Sequence, residues 1–170
     1  MADPVVFVTM GVSGAGKTTL GEMLAARLGW PFKEGDELHP PANVAKMKSG
    51  HPLNDADREP WLAAVGEWID GWVAAGESGV ISCSALKRAY RDTIAAGRPA
   101  VRFVFIDLDE ATIAARLQRR EHAYWPPALL HSQFEALQVP TPDEPVIMVN
   151  GHASRDAQVD EVVAALGLVP

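Results

Sequence analysis

Apolar and polar positions along this chain fall into blocks of two kinds. Short apolar runs at residues 5–10, 80–83, 101–106 and 146–149 read as strands buried on both faces, and residues 30–33 read as a shorter fifth. Between them the apolar residues recur every three or four positions. Leu20, Met23, Leu24 and Leu28 mark an amphipathic helix over residues 19–28. Trp61, Val65, Trp68, Ile69, Trp72 and Val73 mark a longer one over residues 57–75, capped by Asn54 or Asp55, and predict a core-facing stripe. Pro40 and Pro41 open a short helix through Met47. Further helices are predicted over residues 86–95 with Ser84 as cap, from Asp109 through Arg120, from Pro126 through Leu137, and from Ser154 or Asp156 through Leu166.

Strand and helix alternate without a repeat, a linker or a low-complexity stretch. This predicts one domain over residues 1–170 with a three-layer α/β fold, a five-stranded parallel sheet covered by helices on both faces. In such sheets ligands lie beyond the carboxyl ends of the strands. The segments that follow the strands are therefore where chemistry is sought.

The segment after the first strand is the most informative. Gly11-Val12-Ser13-Gly14-Ala15-Gly16-Lys17-Thr18 fits G-x-x-x-x-G-K-[ST], between a strand and a helix. Its glycines let successive main-chain N–H groups curl toward an anion, and the helix that follows adds the positive end of its dipole. Lys17 carries a point charge to the β and γ phosphates, and the Thr18 hydroxyl is a Mg²⁺ ligand, with Thr19 extending the loop.

Other strand ends nominate further residues. Asp36 follows the second strand and is a candidate base or water-mediated Mg²⁺ ligand; a loop aspartate bonded to nearby backbone is the competing account. His39, three residues on, is either a substrate contact or structural. Arg58 stands near a helix start, where the dipole disfavours a cation, so an anionic substrate or a salt bridge to Asp55 or Glu59 is implied. Lys87 and Arg91, four apart, read as a cationic pair for an anionic acceptor or as solvated charge. Arg116, Arg119 and Arg120 end a helix, where they complement its dipole or serve the reaction. The polar and aromatic residues 121–127 after them have the profile of a lid, placed at about residues 119–133, which would set arginines over the transferred charge. Asp107 ends the fourth strand as a weaker Mg²⁺ candidate, and Cys83 reads as a buried small apolar residue.

Composition narrows the classes. A chain of 170 residues, 48% hydrophobic and 22% charged, suits a folded core. Its net charge of −7 argues against a nucleic-acid binder with a broad basic face. A single cysteine excludes an internal disulfide. No run is long and apolar enough for a bilayer, and the first strand follows Met1 so closely that no signal peptide is expected, which predicts a cytoplasmic location.

Several segments together resemble the bacterial gluconate kinases. They are residues 10–18, Gly35-Asp36-Glu37-Leu38-His39-Pro40, residues 46–62 with Pro52-Leu53-Asn54-Asp55-Ala56-Asp57-Arg58, residues 83–92, and residues 129–137. The resemblance implies a fold of the nucleoside-monophosphate-kinase type, a homodimer, and ATP-dependent phosphorylation of D-gluconate at its 6-hydroxyl. It implies catalytic roles for Lys17, Asp36 and Arg120, nucleotide contacts from Gly11 to Thr19 and from Arg116 and Arg119, and acceptor contacts from Asp36, His39, Arg58, Lys87, Arg91 and His122. A shikimate- or nucleotide-type kinase is the alternative enzyme, although the third strand ends in Cys-Ser-Ala-Leu without a glycine run. A non-catalytic or switch-type nucleotide binder is the third reading, and its guanine-reading Asn-Lys-x-Asp is absent from the sequence.

Overall fold

The computed structural model describes residues 3–119 and 127–167. Strands β1 (Val6–Met10), β2 (Phe32–Glu34), β3 (Gly79–Ser82), β4 (Val101–Asp107) and β5 (Val146–Asn150) form one sheet in the order β2-β3-β1-β4-β5. Every neighbouring pair is parallel. The helices are α1 (Lys17–Leu28), α2 (Pro41–Lys48), α3 (Asp55–Ala74), α4 (Arg88–Ala95), α5 (Glu110–Gln118), α6 (Pro127–Ala136) and α7 (Arg155–Gly167). A 3₁₀ turn at Gly35–Leu38 follows β2.

Alternation along the strands builds two cores. Val6, Val8, Met10, Phe103 and Phe105 face α3 and α4, where Trp61, Val65, Ile69 and Ile94 close over them. Phe7, Val104 and Ile106 face the other way, toward Leu24 of α1, Ile113 of α5, Leu130 of α6 and Val162 of α7. The three layers are those expected from the sequence. None of the described helices is long and apolar enough to cross a membrane.

Local chemistry explains the boundaries that matter. Helix α3 begins two residues before the predicted start because Asn54 caps it. The Asn54 side chain accepts from Asp57 N–H at 2.8 Å, and Asp57 Oδ2 accepts from Asn54 N–H at 2.9 Å. The stripe predicted on α3 is only partly buried: Trp68 is 40% and Val73 37% exposed. Leu62 and Gly66 are buried and shift the covered arc, so Trp68 falls on its rim beneath the Lys33 ammonium, while Val73 lies in the last turn.

Helix α4 starts at Arg88, and Ser84 does not cap it. The Ser84 carbonyl instead accepts from Gly11 N–H at 3.1 Å, which prolongs the β1–β3 pairing, and Ala85 then turns the chain with φ 45°. Of the region predicted as a lid, residues 120–126 lie outside the described residues, and with them Arg120 and His122.

Candidate active site

The carboxyl end of β1 delivers the glycine loop, and side chains from the neighbouring strand ends close around it. Gly16 has φ 98°, a left-handed conformation that strains any residue with a Cβ and so favours glycine. Thr9 Oγ1 donates to the Lys17 carbonyl at 3.0 Å and ties the start of α1 to β1. The Lys17 ammonium reaches the carbonyls of Gly11 at 3.0 Å and Val12 at 3.3 Å. Burial lowers the Lys17 pKa below the usual lysine range, while the charges of Asp36 and Glu34 pull it back.

The Thr18 hydroxyl donates to Glu34 at the end of β2, and the same carboxylate accepts from the Ser82 hydroxyl of β3. Glu34 carries no local signature, and nothing in the sequence nominated it. Its position is fixed by the next residue. A Cβ on Gly35 would lie 1.9 Å from the Ser82 carbonyl oxygen, so glycine alone lets β2 approach β3 this closely. A hydroxyl and a carboxylate side by side form a hard-oxygen donor set that suits Mg²⁺. Among the described residues no cluster of three or more His, Cys, Asp or Glu side chains could form a metal cage.

Asp36 is exposed on the 3₁₀ turn, and its charge acts on Lys17, His39 and Cys83. Its carboxylate is therefore within electrostatic range of the loop lysine. His39 stacks on Trp61 with centroids 4.2 Å apart, and its Nδ1 lies 3.2 Å from Asn43 Nδ2. Burial is the main cause that depresses its pKa; Arg58 depresses it further and Asp36 opposes. Cys83 is buried and its thiol is pushed up to about 12, first by burial and then by Asp36, so it is inert.

A cavity of about 290 Å³ opens beside the loop, lined in part by Asn54, Asp55, Arg58, Lys87, Ser132 and Gln133. Arg58 is half-buried and donates to the Leu53 carbonyl at 2.6 Å; its guanidinium lies 5.6 Å from the Tyr90 ring centroid. It forms no ion pair with Asp55 or Glu59. Asp55 instead pairs with Lys87 at 3.0 Å and accepts from the Tyr90 hydroxyl. The Tyr90 hydrogen bond and then Lys87 hold the Asp55 carboxyl below its ordinary range. Gln133 joins the cavity to the loop, accepting from Ser13 N–H at 2.7 Å and donating to Ser13 Oγ at 3.1 Å.

Arg91 does not belong to this cavity. It is 1% exposed, pairs with the 3%-exposed Glu144 at 2.6 Å, and donates to the carbonyls of Ala85, Leu86 and Gln138. The expected Lys87–Arg91 pair fails because Lys87 stands at the N-cap in extended backbone, one turn outside the helix face that Arg91 occupies. Arg116 donates to the Gly151 carbonyl at 3.2 Å, Arg119 is exposed at the end of α5, and Asp107 is exposed at the end of β4. Arg155, absent from the sequence-based candidates, donates to the Ala15 carbonyl at 3.3 Å and to Gln158 at 2.8 Å. Only the folding of α7 against α1 brings that cation to the loop.

Comparison with known proteins agrees with this fold. The shikimate kinase family model matches residues 13–161. The chain is 51% identical to a gluconokinase of Gluconobacter oxydans (strain 621H), over 94% of this chain and 90% of that protein. A crystal structure of a gluconokinase from Sinorhizobium meliloti 1021 superposes with a TM-score of 0.87 at 42% identity, covering 98% of this chain and 94% of the other. A sugar kinase from Janibacter sp. HTCC2649 superposes with a TM-score of 0.91 at 40% identity, covering 98% and 96%.

Proposed function

The chain belongs to the gluconokinase family, an ATP-dependent phosphotransferase acting on gluconate, and from that premise we propose how its residues divide the work. The γ-phosphoryl group of ATP passes to the 6-hydroxyl of D-gluconate, giving 6-phospho-D-gluconate and ADP. The observation that carries this reading is the cavity beside the glycine loop, which offers cations from Arg58 and Lys87 and polar partners from Asn54 and Gln133. A small anionic polyol wants both kinds of contact.

In this division the loop amides and Lys17 hold the triphosphate and take up charge as the bond to the leaving oxygen breaks. Asp36, within electrostatic range of the loop lysine, accepts the proton of the attacking hydroxyl. Arg58 and Lys87 hold the gluconate carboxylate, which sets the far end of the chain toward the loop. His39 fixes the floor between the 3₁₀ turn and α3. Arg116 and Arg119 are the nucleotide-side cations, joined by Arg155, which reaches the Ala15 carbonyl of the loop. Thr18, flanked by Glu34, would hold Mg²⁺. When bound, the ion supplies charge neutralisation across the β and γ phosphates. A homodimer in the cytoplasm completes the reading.

A coupled ADP-release assay with Mg²⁺, ATP and a panel of gluconate, shikimate and nucleoside monophosphates tests it. Turnover with gluconate and background rates with the others are expected. No stimulation by gluconate overturns the reading.

A further inference from the structure

Gln133 hydrogen-bonds the glycine loop through Ser13 and also lines the acceptor cavity. Building on the gluconokinase reading, we propose that Gln133 is a positioning residue that couples nucleotide binding in the loop to acceptor binding in the cavity. Its carboxamide makes two bonds to a single loop residue, one to the Ser13 amide and one to the Ser13 hydroxyl. The main-chain donor forces Oε1 toward the loop, so the orientation of the amide follows from the bonding itself. Two bonds in opposite senses fix both the distance and the rotation of the loop relative to α6.

The other end of the linkage is equally well fixed. Helix α6 is anchored by Leu130, 2% exposed in the core beneath α1, α5 and α7, and by half-buried Phe134 packed against that core. Gln133 thus rides on a helix that the core holds, and it grips a loop whose donors a phosphate recruits. In the cavity it stands with Arg58 and Lys87, the cations for the acceptor. A nucleotide that draws on the Ser13 amide shifts the carboxamide, and the acceptor meets a changed wall. Linkage makes the effect reciprocal: the acceptor must alter nucleotide affinity by the same factor. The in-line geometry of phosphoryl transfer is sensitive to such placement.

A purely structural clasp would affect stability without affecting coupling. Calorimetric titration separates the two. Gluconate is titrated into the protein alone and into protein saturated with Mg²⁺ and a non-hydrolysable ATP analogue, and the reverse titration closes the cycle. The wild type is expected to show coupling of at least about fivefold. Gln133→Ala should bring the coupling to within about twofold of unity and lower kcat more than it raises either KM. Ser13→Ala keeps the amide bond and loses the hydroxyl one, so its coupling should lie between the two. It also provides the comparison if Gln133→Ala folds poorly. Wild-type coupling near unity, or undiminished coupling in both variants, overturns the proposal. A wild type that turns over gluconate while coupling is unaffected by the variants removes this inference alone; a wild type inert toward gluconate removes the reading on which it rests.

Discussion

The glycine loop and the acceptor cavity lie side by side, yet they are built in different ways. The loop is written in eight consecutive residues, and its working groups are mostly main-chain amides. Its shape is held by left-handed backbone that favours glycine at Gly16 and by a threonine bonded to the first turn of α1. The cavity draws on three separated segments around Asn54, Lys87 and Gln133. Its charged side chains already have partners: Lys87 pairs with Asp55, Asp55 also accepts from Tyr90, and Arg58 donates to the Leu53 carbonyl. A ligand in the loop meets donors whose directions the backbone fixes, although Lys17 and the Ser13 amide must first leave their present acceptors. A ligand in the cavity must exchange with ties that already exist, and each exchange returns only a difference between two interactions. Single substitutions should therefore act most steeply on the loop side and more gradually on the cavity side.

The largest expected effect is on the loop. Lys17→Ala should lower kcat by about a thousandfold or more, because the lost charge acts where the transition state gathers its own. Near-normal turnover in a coupled assay would show that the amides suffice and would erase the contrast. Next comes Arg91→Ala, whose own side chain lines neither region. Removing one member of a buried ion pair costs about 3–5 kcal/mol, or roughly 10 °C in Tm for a chain of this size. The KM for gluconate should not move. A raised KM at unchanged Tm would return Arg91 to the cavity. The pair also has a pH signature. Burial pushes the Glu144 carboxyl up, but the Arg91 hydrogen bond and the Thr141 amide outweigh it and hold the pKa below its ordinary value. That stability is fully present above the unfolded carboxyl pKa and is lost as pH falls through the lower folded one. Arg91→Ala should flatten this acid-side loss in thermal melts.

The same contrast explains what the sequence discloses. Period-two and period-3.6 patterns are local, and they mark five strands and seven helices to within a few residues. The loop is equally local. Arg91 is not: its partner Glu144 is 53 positions away, and four residues from Lys87 it looks like one of a pair of surface cations. Glu34 is set by the close approach of β2 to β3, and Arg155 by the packing of α7 on α1. Ser84 shows the limit within a single turn. Its residue type favours a cap, but its carbonyl accepts from the Gly11 amide and Ala85 after it turns with φ 45°, outside right-handed helical backbone, so the helix starts later. Long-range partners decided each of these, and a window of sequence does not contain them.

Between the two regions stands Asp36. Asp36→Asn should lower kcat by about a hundredfold if it takes the hydroxyl proton. A change confined to KM would make it a binding group and move the catalytic weight wholly onto the loop. On the cavity side, Arg58→Ala should raise the KM for gluconate by about tenfold, the scale of one charge-assisted contact, with the KM for ATP unmoved. The loss should be modest because Lys87 remains. An unchanged gluconate KM would remove the acceptor carboxylate from this corner.

The smallest expected effect is at His39, which joins the two regions through its stack on Trp61, whose indole in turn donates to the Gly35 carbonyl at 2.9 Å. Asn43 Nδ2 also donates to the Asp57 carbonyl, so its amide group faces His39 as a donor and calls for an unprotonated Nδ1. Burial and Arg58 depress the imidazole pKa, with Asp36 opposing. Its folded pKa then lies below the unfolded value of about 6.5, so in the window between them the unfolded chain binds more protons. Stability must rise with pH across that window and fall on acidification from neutrality. Thermal melts of the wild type and His39→Gln between about pH 7.5 and 5.5 check the sign, since glutamine keeps an acceptor for Asn43 but cannot titrate. The wild type should lose ground to the variant as pH falls. The opposite trend would mean that Asp36 holds the imidazolium in place, and His39 would then be a charged part of the cavity rather than a neutral floor beneath it.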